Sequence, residues 1–595
     1  TLRLGVSMHV SITGGKFRRV QVMEQFKDQK TGKYRSRVIK DYGKLDELVA
    51  LDPNFVEKLR AECREESKKE KELRKVTIQI DNCMLNSAGD AAQCFRFGHA
   101  AILKLFTDMG LEDFFDGKVD KKNKKVVMDI IRYLIHRRCS APDSIRAAQE
   151  NMKEYAGLKS HKLDAFYPVL DVLAELKQET IDHFSEFMMK KTNRKMDTVC
   201  YDVTNYYFES QKVGELRLFG FSKEHKNNEV IVVMGLLIDS NGIPITYRLF
   251  PGNTMDQKTL AESTAELLEL YGMDSITVVA DRGMNSSENL CVLHDRNCNF
   301  VISYTLKKAS KKIMDAALCG EWEAVFYDSE GNMTYATKKL PFKVKHKVLM
   351  TESEQEDIKA QRKESHSRGR CPIYKEVEVD CNIHVSWSRD RDNKDKHDRE
   401  RFLEKLEKNF NNNKGQMMKR GQMKYIRTGA DPSKFEIDWD LIAEESKFDG
   451  YYAVVTDKEM ESDEAMSIYR SQWKIEESFR ILKTDLEARP VFVWTDGHIE
   501  GYFLICYIAL TMLRYLQYLL VKNGLELSAE RIMNAFHSPE VAMVGNKDNP
   551  YLMPVHITED YLRIAKTLKM KPLYRVMEPT IFKRQTGLDI EVNLK

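Results

Sequence analysis

The sequence predicts an α/β protein, and two features of the chain support this fold class. Between residues 196 and 305, runs of β-branched and aromatic residues alternate with segments of helical periodicity. The whole chain has 595 residues, of which 42% are hydrophobic. Because one hydrophobic core rarely serves a chain of that length, we expect several domains, some of them inserted in others.

The segment 196–305 has a specific order of elements. Three successive strands, MDTVCYDVTNYYFES, EVIVVMGLLID and PITYRLFPGN, precede a helix, TLAESTAELLELYG, and a fourth strand, SITVVADRG. A short helix, SSENLCVLHDR, and a fifth strand, NFVISY, complete the segment. The order β-β-β-α-β-α-β is the layout of a ribonuclease H-like core, in which the first and fourth strands are neighbours.

This core is predicted to be interrupted. Residues 306–445 combine mixed strands, a charged helix and a connector rich in Asn, Lys and Gly, which indicates an inserted, mostly β domain. The core then resumes over residues 446–530 with the strand DGYYAVVTD and a long helix. Residues 531–595 are interpreted either as a dimerisation or docking region or as a cover for the core.

The N-terminal region is locally basic. Residues 1–45 contain eleven Lys or Arg and three Asp or Glu, although the net charge of the whole chain is only +3. Residues 1–75 are predicted to form a small β-sheet and a charged helix, and residues 76–195 a helical domain. Both regions are predicted to bind DNA, and a solvated charged surface is the alternative. The sheet cations expected to contact phosphates are Arg35, Arg37 and Lys40.

Composition indicates the compartment. The eleven cysteines contain no CxxC pair, which argues against a zinc ribbon and a disulfide framework and fits a reducing cytoplasm. The most apolar stretch, Gly501 to Leu520, contains Arg514 and Gln517, so a buried helix is expected rather than a membrane span. We therefore expect a cytoplasmic protein without a membrane partner.

Two acidic residues follow apolar runs. Asp202 comes directly after TVCY, and Asp281 comes directly after ITVVA. A carboxylate at the end of such a run lies in a polar cleft or is paired, because burying it alone is costly. Since the first and fourth strands are neighbours, Asp202 and Asp281 are expected side by side.

A third acid, Glu476, lies in the segment YRSQWKIEESFRILK. With 3.6 residues per turn, a helix places aromatic and polar groups on the same face as this carboxylate. Trp473 is expected in the core. The residues of that face are Tyr469, Gln472, Glu476, Phe479 and Lys483, with Arg480 one turn beyond Glu476.

Three carboxylates from distant parts of the chain suit a metal site. They can hold two divalent ions, one activating a water or a 3′-hydroxyl and the other stabilising the leaving oxygen. Hard oxygen ligands without His or Cys favour Mg²⁺ or Mn²⁺ over zinc. The pattern predicts a metal-dependent nuclease or transferase in which loss of any one carboxylate abolishes cleavage and spares the fold.

The surroundings of the three acids resemble those of the DDE transposases of bacterial insertion sequences, in particular the IS4 superfamily and its IS1634-like branch. The superfamily signature is Tyr, two residues, Arg, three residues, Glu, six residues, Lys. Tyr469, Glu476 and Lys483 match its spacing, and Gln472 stands at the Arg position. FPGNTMDQKTL, RPVFVWTDGHIEGYFLICYIAL and GFSKEHKNNEV, which contains Lys223, also resemble that family.

The resemblance implies a DNA transposase that cleaves the ends of an insertion sequence and joins the freed 3′-hydroxyl to target DNA. It implies that Tyr469 and Lys483 hold phosphates and that Lys223 is a further DNA contact. Gln472, at the Arg position, is also expected to contact DNA, with Arg470 or Arg480 as a nearby cation. Double-stranded DNA and a second copy of the chain are the expected partners, in a bacterial cytoplasm at the nucleoid. Two alternatives are a metal-dependent nuclease without strand transfer and a non-catalytic DNA-binding relic.

Overall fold

The structure, a computed structural model, divides into two compact units. Residues 1–91, with the short segments 544–551 and 593–595, form the first unit, and residues 92–543 and 552–592 form the second. Lys223, a predicted DNA contact, lies outside the described residues. The described residues are 7–15, 17–27, 34–72, 78, 92–220, 229–271, 275–364, 372–413, 424–428, 435–546 and 549–590.

The first unit contains the predicted basic sheet and charged helix. Its three strands form an antiparallel sheet in chain order. Val20 and Val22 alternate along the middle strand and are buried in one cluster with Leu59 and Cys63 of the long helix, as expected for a sheet covered on one face. The elements are β1 (Ser7–Thr13), β2 (Arg19–Lys27), β3 (Tyr34–Lys44), α1 (Leu45–Leu51) and α2 (Phe55–Glu72).

The second unit combines a helical segment, a large sheet and a C-terminal segment. Its strands are β4 (Cys94–Arg96), β5 (Thr198–Tyr207), β6 (Leu218–Phe219), β7 (Val230–Ile238), β8 (Pro244–Pro251), β9 (Ile276–Ala280), β10 (Cys298–Ser303), β11 (Ala324–Tyr327), β12 (Met333–Leu349), β13 (Tyr374–Ser388), β14 (Ile426–Thr428), β15 (Phe435–Ile437), β16 (Tyr451–Thr456), β17 (Glu540–Asn546) and β18 (Asn549–Val555), the last two of which extend into residues 544–551.

The first helices of this unit lie in the helical domain predicted at residues 76–195. The later helices lie between and after the strands of the sheet. They are α3 (His99–Asp108), α4 (Leu111–Lys118), α5 (Lys124–Ser140), α6 (Ile145–Asn151), α7 (Tyr167–Glu175), α8 (Lys177–Thr192), α9 (Asp256–Tyr271), α10 (Ser287–Asp295), α11 (Lys311–Leu318), α12 (Glu352–Glu364), α13 (Arg389–Asn413), α14 (Trp439–Ser446), α15 (Ser462–Arg470), α16 (Trp473–Arg480), α17 (Asp496–Lys522), α18 (Ala529–His537), α19 (Glu559–Thr567) and α20 (Pro579–Thr586).

The central sheet has ten strands in the order β11-β12-β13-β16-β10-β9-β5-β7-β6, with β8 paired to β7. Strand β9 is parallel to both β5 and β10, and β7 is antiparallel to β5 and β8. Every residue of β7 and β9 is buried, as is typical of strands covered on both faces. The first and fourth strands of the predicted core, β5 and β9, are therefore neighbours, as the sequence predicts.

The segment 306–445 differs from the predicted separate β domain. Strand β13 pairs with β16, so β11, β12 and β13 extend the central sheet beyond β10. The same segment also contains the four helices α11 to α14. The sequence shows the strands but not their partner, because residues such as His384 and Val454 pair across a long stretch of chain.

Helix α17 is the central core helix of the unit. It is long and apolar enough to cross a membrane by length and composition, but 78% of its apolar window is buried inside the protein. It packs against α5 and α7. A Cβ at Gly501 would lie 2.1 Å from the carbonyl oxygen of Leu170, so this close approach requires glycine.

The C-terminal segment packs on the helical segment. Strand β17 pairs with β4 through Glu540 to Ala542. Phe97 contacts the rings of Tyr561 and Phe582 at centroid distances of 5.9 and 5.5 Å. This part of residues 531–595 thus covers the second unit's own core.

Candidate active site

Asp202 and Asp281 occupy matching positions on two paired strands. The parallel pairing of β5 and β9 ends at Cys200 and Val279, and each aspartate lies two residues beyond that pair. Because the two strands run in one direction, both aspartates lie beyond the same end of their paired segment, Asp202 within β5 and Asp281 directly after β9. Both side chains are half-buried.

Local backbone geometry orients both carboxylates. The Asp202 Oδ1 atom accepts a hydrogen bond from the Val203 amide at 2.7 Å. Asp281 caps the short 3-10 turn that follows β9, where its Oδ1 accepts from the Gly283 amide at 2.8 Å. A Cβ at position 283 would lie 3.0 Å from that oxygen, so glycine leaves room for the carboxylate.

The helix predicted to carry Glu476 is interrupted just before it. The amides of Ser471 and Gln472 bond to the carbonyls of Ile468 and Tyr469 at 3.1 and 3.0 Å, a tight three-residue turn between α15 and α16. Buried residues still recur here at helical spacing, at Gln472, Ile475 and Phe479. Glu476 is exposed, whereas Gln472 and Phe479 are buried.

The predicted single face is therefore only partly correct. Tyr469, Gln472 and Glu476 line one cavity of about 530 Å³, whereas Phe479 belongs to the core. Trp473 was expected in the core, and that expectation is wrong: its side chain is 56% exposed and lines the same cavity.

Helix α16 is attached to β5 and to the β7–β8 turn. The Ser471 hydroxyl lies 3.4 Å from the Cys200 thiol, two residues before Asp202. The Lys474 ammonium donates to the Ser240 carbonyl between β7 and β8. These contacts fix the helix that carries Glu476 beside the strand that carries Asp202.

Helix α16 is also attached to the core helix α17 through Arg514. The buried guanidinium donates to the Glu477 carboxylate at 2.8 Å, to the Lys474 carbonyl at 2.9 Å and to the Ser478 hydroxyl at 2.9 Å. Glu477, the neighbour of Glu476, thus has a structural role. The sequence alone does not indicate this anchoring role of Arg514, because its partners lie about 40 residues earlier in the chain.

Tyr469 belongs to a hydroxyl cluster near Asp281. Burial raises the pKa of Tyr469, and the Tyr452 phenol and the negative charge of Asp281 add to that shift. The Ser303 hydroxyl lies 2.9 Å from the Tyr452 hydroxyl, and the Tyr452 and Tyr469 rings are 5.4 Å apart. This cluster brings α15 close to the end of β9, where Asp281 lies.

The donor chemistry of the aspartate pair fits a hard divalent cation such as Mg²⁺ or Mn²⁺. Within the part of the chain that the structure describes, no group of three or more His, Cys, Asp or Glu side chains lies close enough to hold a metal ion. The pairing register thus places Asp202 and Asp281 at matching positions on neighbouring strands. The joint metal site with Glu476 stays a prediction.

The cavity beside Glu476 is lined by three cations and by one further acid, Asp390. Arg470 lines it, with its guanidinium 5.8 Å from the Tyr335 ring. Arg391 and Lys394 of α13 also line it, and the Arg391 guanidinium lies over the Tyr452 ring at 4.7 Å. These last two residues were not predicted from the sequence, although the charged helix that contains them was.

The other predicted cations differ in their surroundings. Arg480 is exposed and pairs with Glu477 at 3.6 Å, so Arg470 is the cation of this segment that lines the cavity. Lys483 lies in the π-helical turn Ile481–Asp485 and is half-buried. Its predicted phosphate contact stays a prediction.

The predicted N-terminal cations lie on β3 of the first unit, and all three are exposed. Arg37 forms an ion pair with Glu24 at 2.5 Å, and the Lys40 ammonium lies 4.6 Å from the Tyr42 ring centroid. We call Arg35, Arg37 and Lys40 the N-terminal basic face. Its contact with DNA stays a prediction.

Two aspartates at matching positions on neighbouring strands, close to a helix with a further carboxylate and several cations, are suited to an enzyme that acts on phosphodiesters. A family model for the transposase DDE domain matches residues 193–512, more than half of the chain and all three predicted acids. The chain therefore belongs to the DDE transposase family, whose members cleave DNA.

Comparison with other proteins adds little to this match. A search of curated proteins finds no match. Among solved structures, the chain is similar to a piggyBac transposase in a synaptic complex with hairpin DNA, at 8% identity and a TM-score of 0.35, with 84% of this chain and 83% of that chain covered. The family assignment therefore depends on the family model.

Proposed function

We propose that this transposase binds the ends of an insertion sequence, cleaves them and joins the resulting 3′-hydroxyl ends to target DNA. The observation that supports this most is the matched placement of Asp202 and Asp281 beyond the pair Cys200–Val279, beside the helix that presents Glu476. These three carboxylates would hold two Mg²⁺ or Mn²⁺ ions. When bound, the ions supply an activated nucleophile and charge stabilisation at the leaving oxygen.

The protein's own groups would position the DNA. Arg391, Lys394 and Arg470 place positive charge around the cavity beside Glu476, which suits a phosphate backbone. Tyr469 and Lys483 would contact phosphates next to the cleaved bond. The N-terminal basic face would bind the outer part of the end.

The finer assignment is part of the same proposal. The spacing of Tyr469, Glu476 and Lys483 supports placing the chain in the IS4 superfamily, IS1634-like branch, of bacterial insertion sequences. Joining two ends requires both to be held together, so we propose a homodimer on double-stranded DNA. The cysteine pattern supports a reducing, cytoplasmic location, and the proposed DNA substrate would place the protein at the bacterial nucleoid.

An assay with end-containing DNA, target DNA and Mg²⁺ tests the proposal. Joined products support a transposase, cuts without joining support a plain nuclease, and binding alone supports a relic. Asp281→Asn and Glu476→Gln are expected to bind end DNA and to lose cleavage. Glu464→Gln is the matched control, because this exposed acid of α15 has no proposed part in catalysis and its variant should cleave normally.

A further inference from the structure

Gln472 is an unusual buried polar side chain. It is only 3% exposed and lies in the tight turn between α15 and α16. Neither its amide nitrogen nor its carbonyl oxygen has a hydrogen-bond partner among the described residues. Buried polar atoms are nearly always paired, so two unpaired atoms on one side chain indicate a partner that this structure does not contain.

The position of Gln472 indicates where such a partner enters. The residue lines the cavity of about 530 Å³ that Glu476 and Trp473 also line. Trp473 offers an exposed aromatic surface there, and cations line the same cavity. If the Gln472 side chain rotates toward this cavity, a bound partner can pair with its two unpaired buried atoms. Binding of that partner would therefore favour the rotated side chain.

The chemistry of the carboxamide limits the class of partner. Its NH₂ group donates and its oxygen accepts. A phosphate offers acceptors only, so it would satisfy the nitrogen and leave the oxygen unpaired. The edge of adenine offers the N6 amino donor beside the N7 acceptor, which pairs with both atoms of a glutamine at once.

We propose that Gln472 recognises an adenine close to the cleaved bond, and so reads sequence where a cation at this position would hold a phosphate. The proposal rests on the proposed function, because it assumes that end DNA occupies the cavity beside Glu476. The surrounding cations bind the backbone without regard to sequence, whereas Gln472 selects the base.

The test measures binding of end DNA by proteins with the Asp281→Asn change, which prevents cleavage. Each adenine near the cleaved bond is replaced in turn by 7-deazaadenine, which lacks only the N7 acceptor. At one position the analogue should weaken binding by about tenfold when Gln472 is present. Adding Gln472→Met should remove that difference and leave the effect of every other substitution unchanged.

A uniform loss of affinity across all ends in Gln472→Met, or an unchanged response to 7-deazaadenine, would overturn the proposal. Thermal unfolding of the free protein gives a separate readout. Methionine is close in volume and has no atoms that need pairing, so Gln472→Met should unfold at the same or a higher temperature. A lower unfolding temperature would mean that the carboxamide already has a structural partner, such as a bound water.

These outcomes are distinguishable from failure of the proposed function. If the protein with Gln472 does not discriminate end DNA from unrelated DNA, the proposed function fails and the base contact fails with it. If end DNA is bound specifically but no adenine responds to Gln472, only the base contact is wrong.

Discussion

Replacing Arg514 by leucine should loosen the helix that carries Glu476. The guanidinium is 8% exposed and donates to Glu477, Ser478 and Lys474 of α16. Removing one partner of a buried ion pair typically costs about 3–5 kcal/mol. Because Glu477 keeps 24% exposure, we expect the lower end, about 3 kcal/mol.

This value converts to a measurable change in local opening. About 3 kcal/mol corresponds to roughly a hundredfold rise in the open population of α16. Hydrogen exchange of the amides in α16 measures that population directly. Cleavage of end DNA should fall in parallel, because Glu476 is then held less firmly beside β5.

Arg480→Leu is the matched control. Arg480 pairs with the same Glu477 carboxylate at 3.6 Å, but its side chain is 55% exposed. An exposed pair contributes at most about 1 kcal/mol, so exchange in α16 should rise less than about fivefold. Equal exchange in the Arg514 and Arg480 variants would refute the proposed anchoring.

Three further predictions concern other parts of the molecule. Affinity for end DNA should fall with added salt, and neutralising the N-terminal basic face should make the slope of log affinity against log salt less steep by about two to three units. An unchanged slope would mean that another part of the protein recognises the DNA. Burial lowers the pKa of His99 to about 4 and also lowers that of His136, whose ring is 4.8 Å away. Below about pH 6.5 the unfolded chain therefore binds more protons than the folded chain, so the contribution of these groups to stability is complete above that pH and falls toward pH 4. His99→Gln should reduce the fall of the urea unfolding midpoint between about pH 6.5 and pH 4. The same pH dependence of the midpoint in this variant and in the unmodified protein would contradict the assignment. Gly501→Ala should lower the unfolding temperature, because the new Cβ would lie 2.1 Å from the Leu170 carbonyl oxygen. Gly117→Ala in α4 is the control, because its Cβ would meet no atom within 4 Å, and it should leave the unfolding temperature unchanged or raise it. Equal unfolding temperatures of the two variants would contradict the close packing at Gly501.

The placement of the two aspartates could be predicted because the signals are local. Each follows a run of buried residues, and the order of strands implied that β5 and β9 are neighbours. The pairing register of Cys200 with Val279 agrees with that expectation. Local periodicity and strand order were therefore sufficient to predict the relative position of these two residues.

The path of the inserted segment could not be predicted in the same way. Its strands have clear β patterns, but the partner of β13 is β16, more than sixty residues later. Which edge a strand joins depends on long-range packing that a local pattern does not contain. Strands that extend the central sheet therefore show the same local sequence pattern as strands of an inserted β domain.

The helix around Glu476 was predicted in type, but not which of its sides faces the protein. The tight turn at Ser471 and Gln472 is held by tertiary contacts, such as that between Ser471 and Cys200. Gln472 is buried together with Ile475 and Phe479, whereas Trp473 and Glu476 are exposed. This spacing is that of one helical face, but a local pattern does not show which side of a helix the rest of the protein covers.

The location of bound metal is the most direct test of a shared site at Asp202, Asp281 and Glu476. Crystals of the protein with end DNA and Mn²⁺ would show the ions by anomalous scattering at the manganese edge. We expect a signal bounded by the carboxylates of Asp202 and Asp281, with Glu476 contributing to the site, and loss of that signal in Asp281→Asn. Manganese bound away from Asp202 and Asp281, or an unchanged signal in that variant, would rule out such a site.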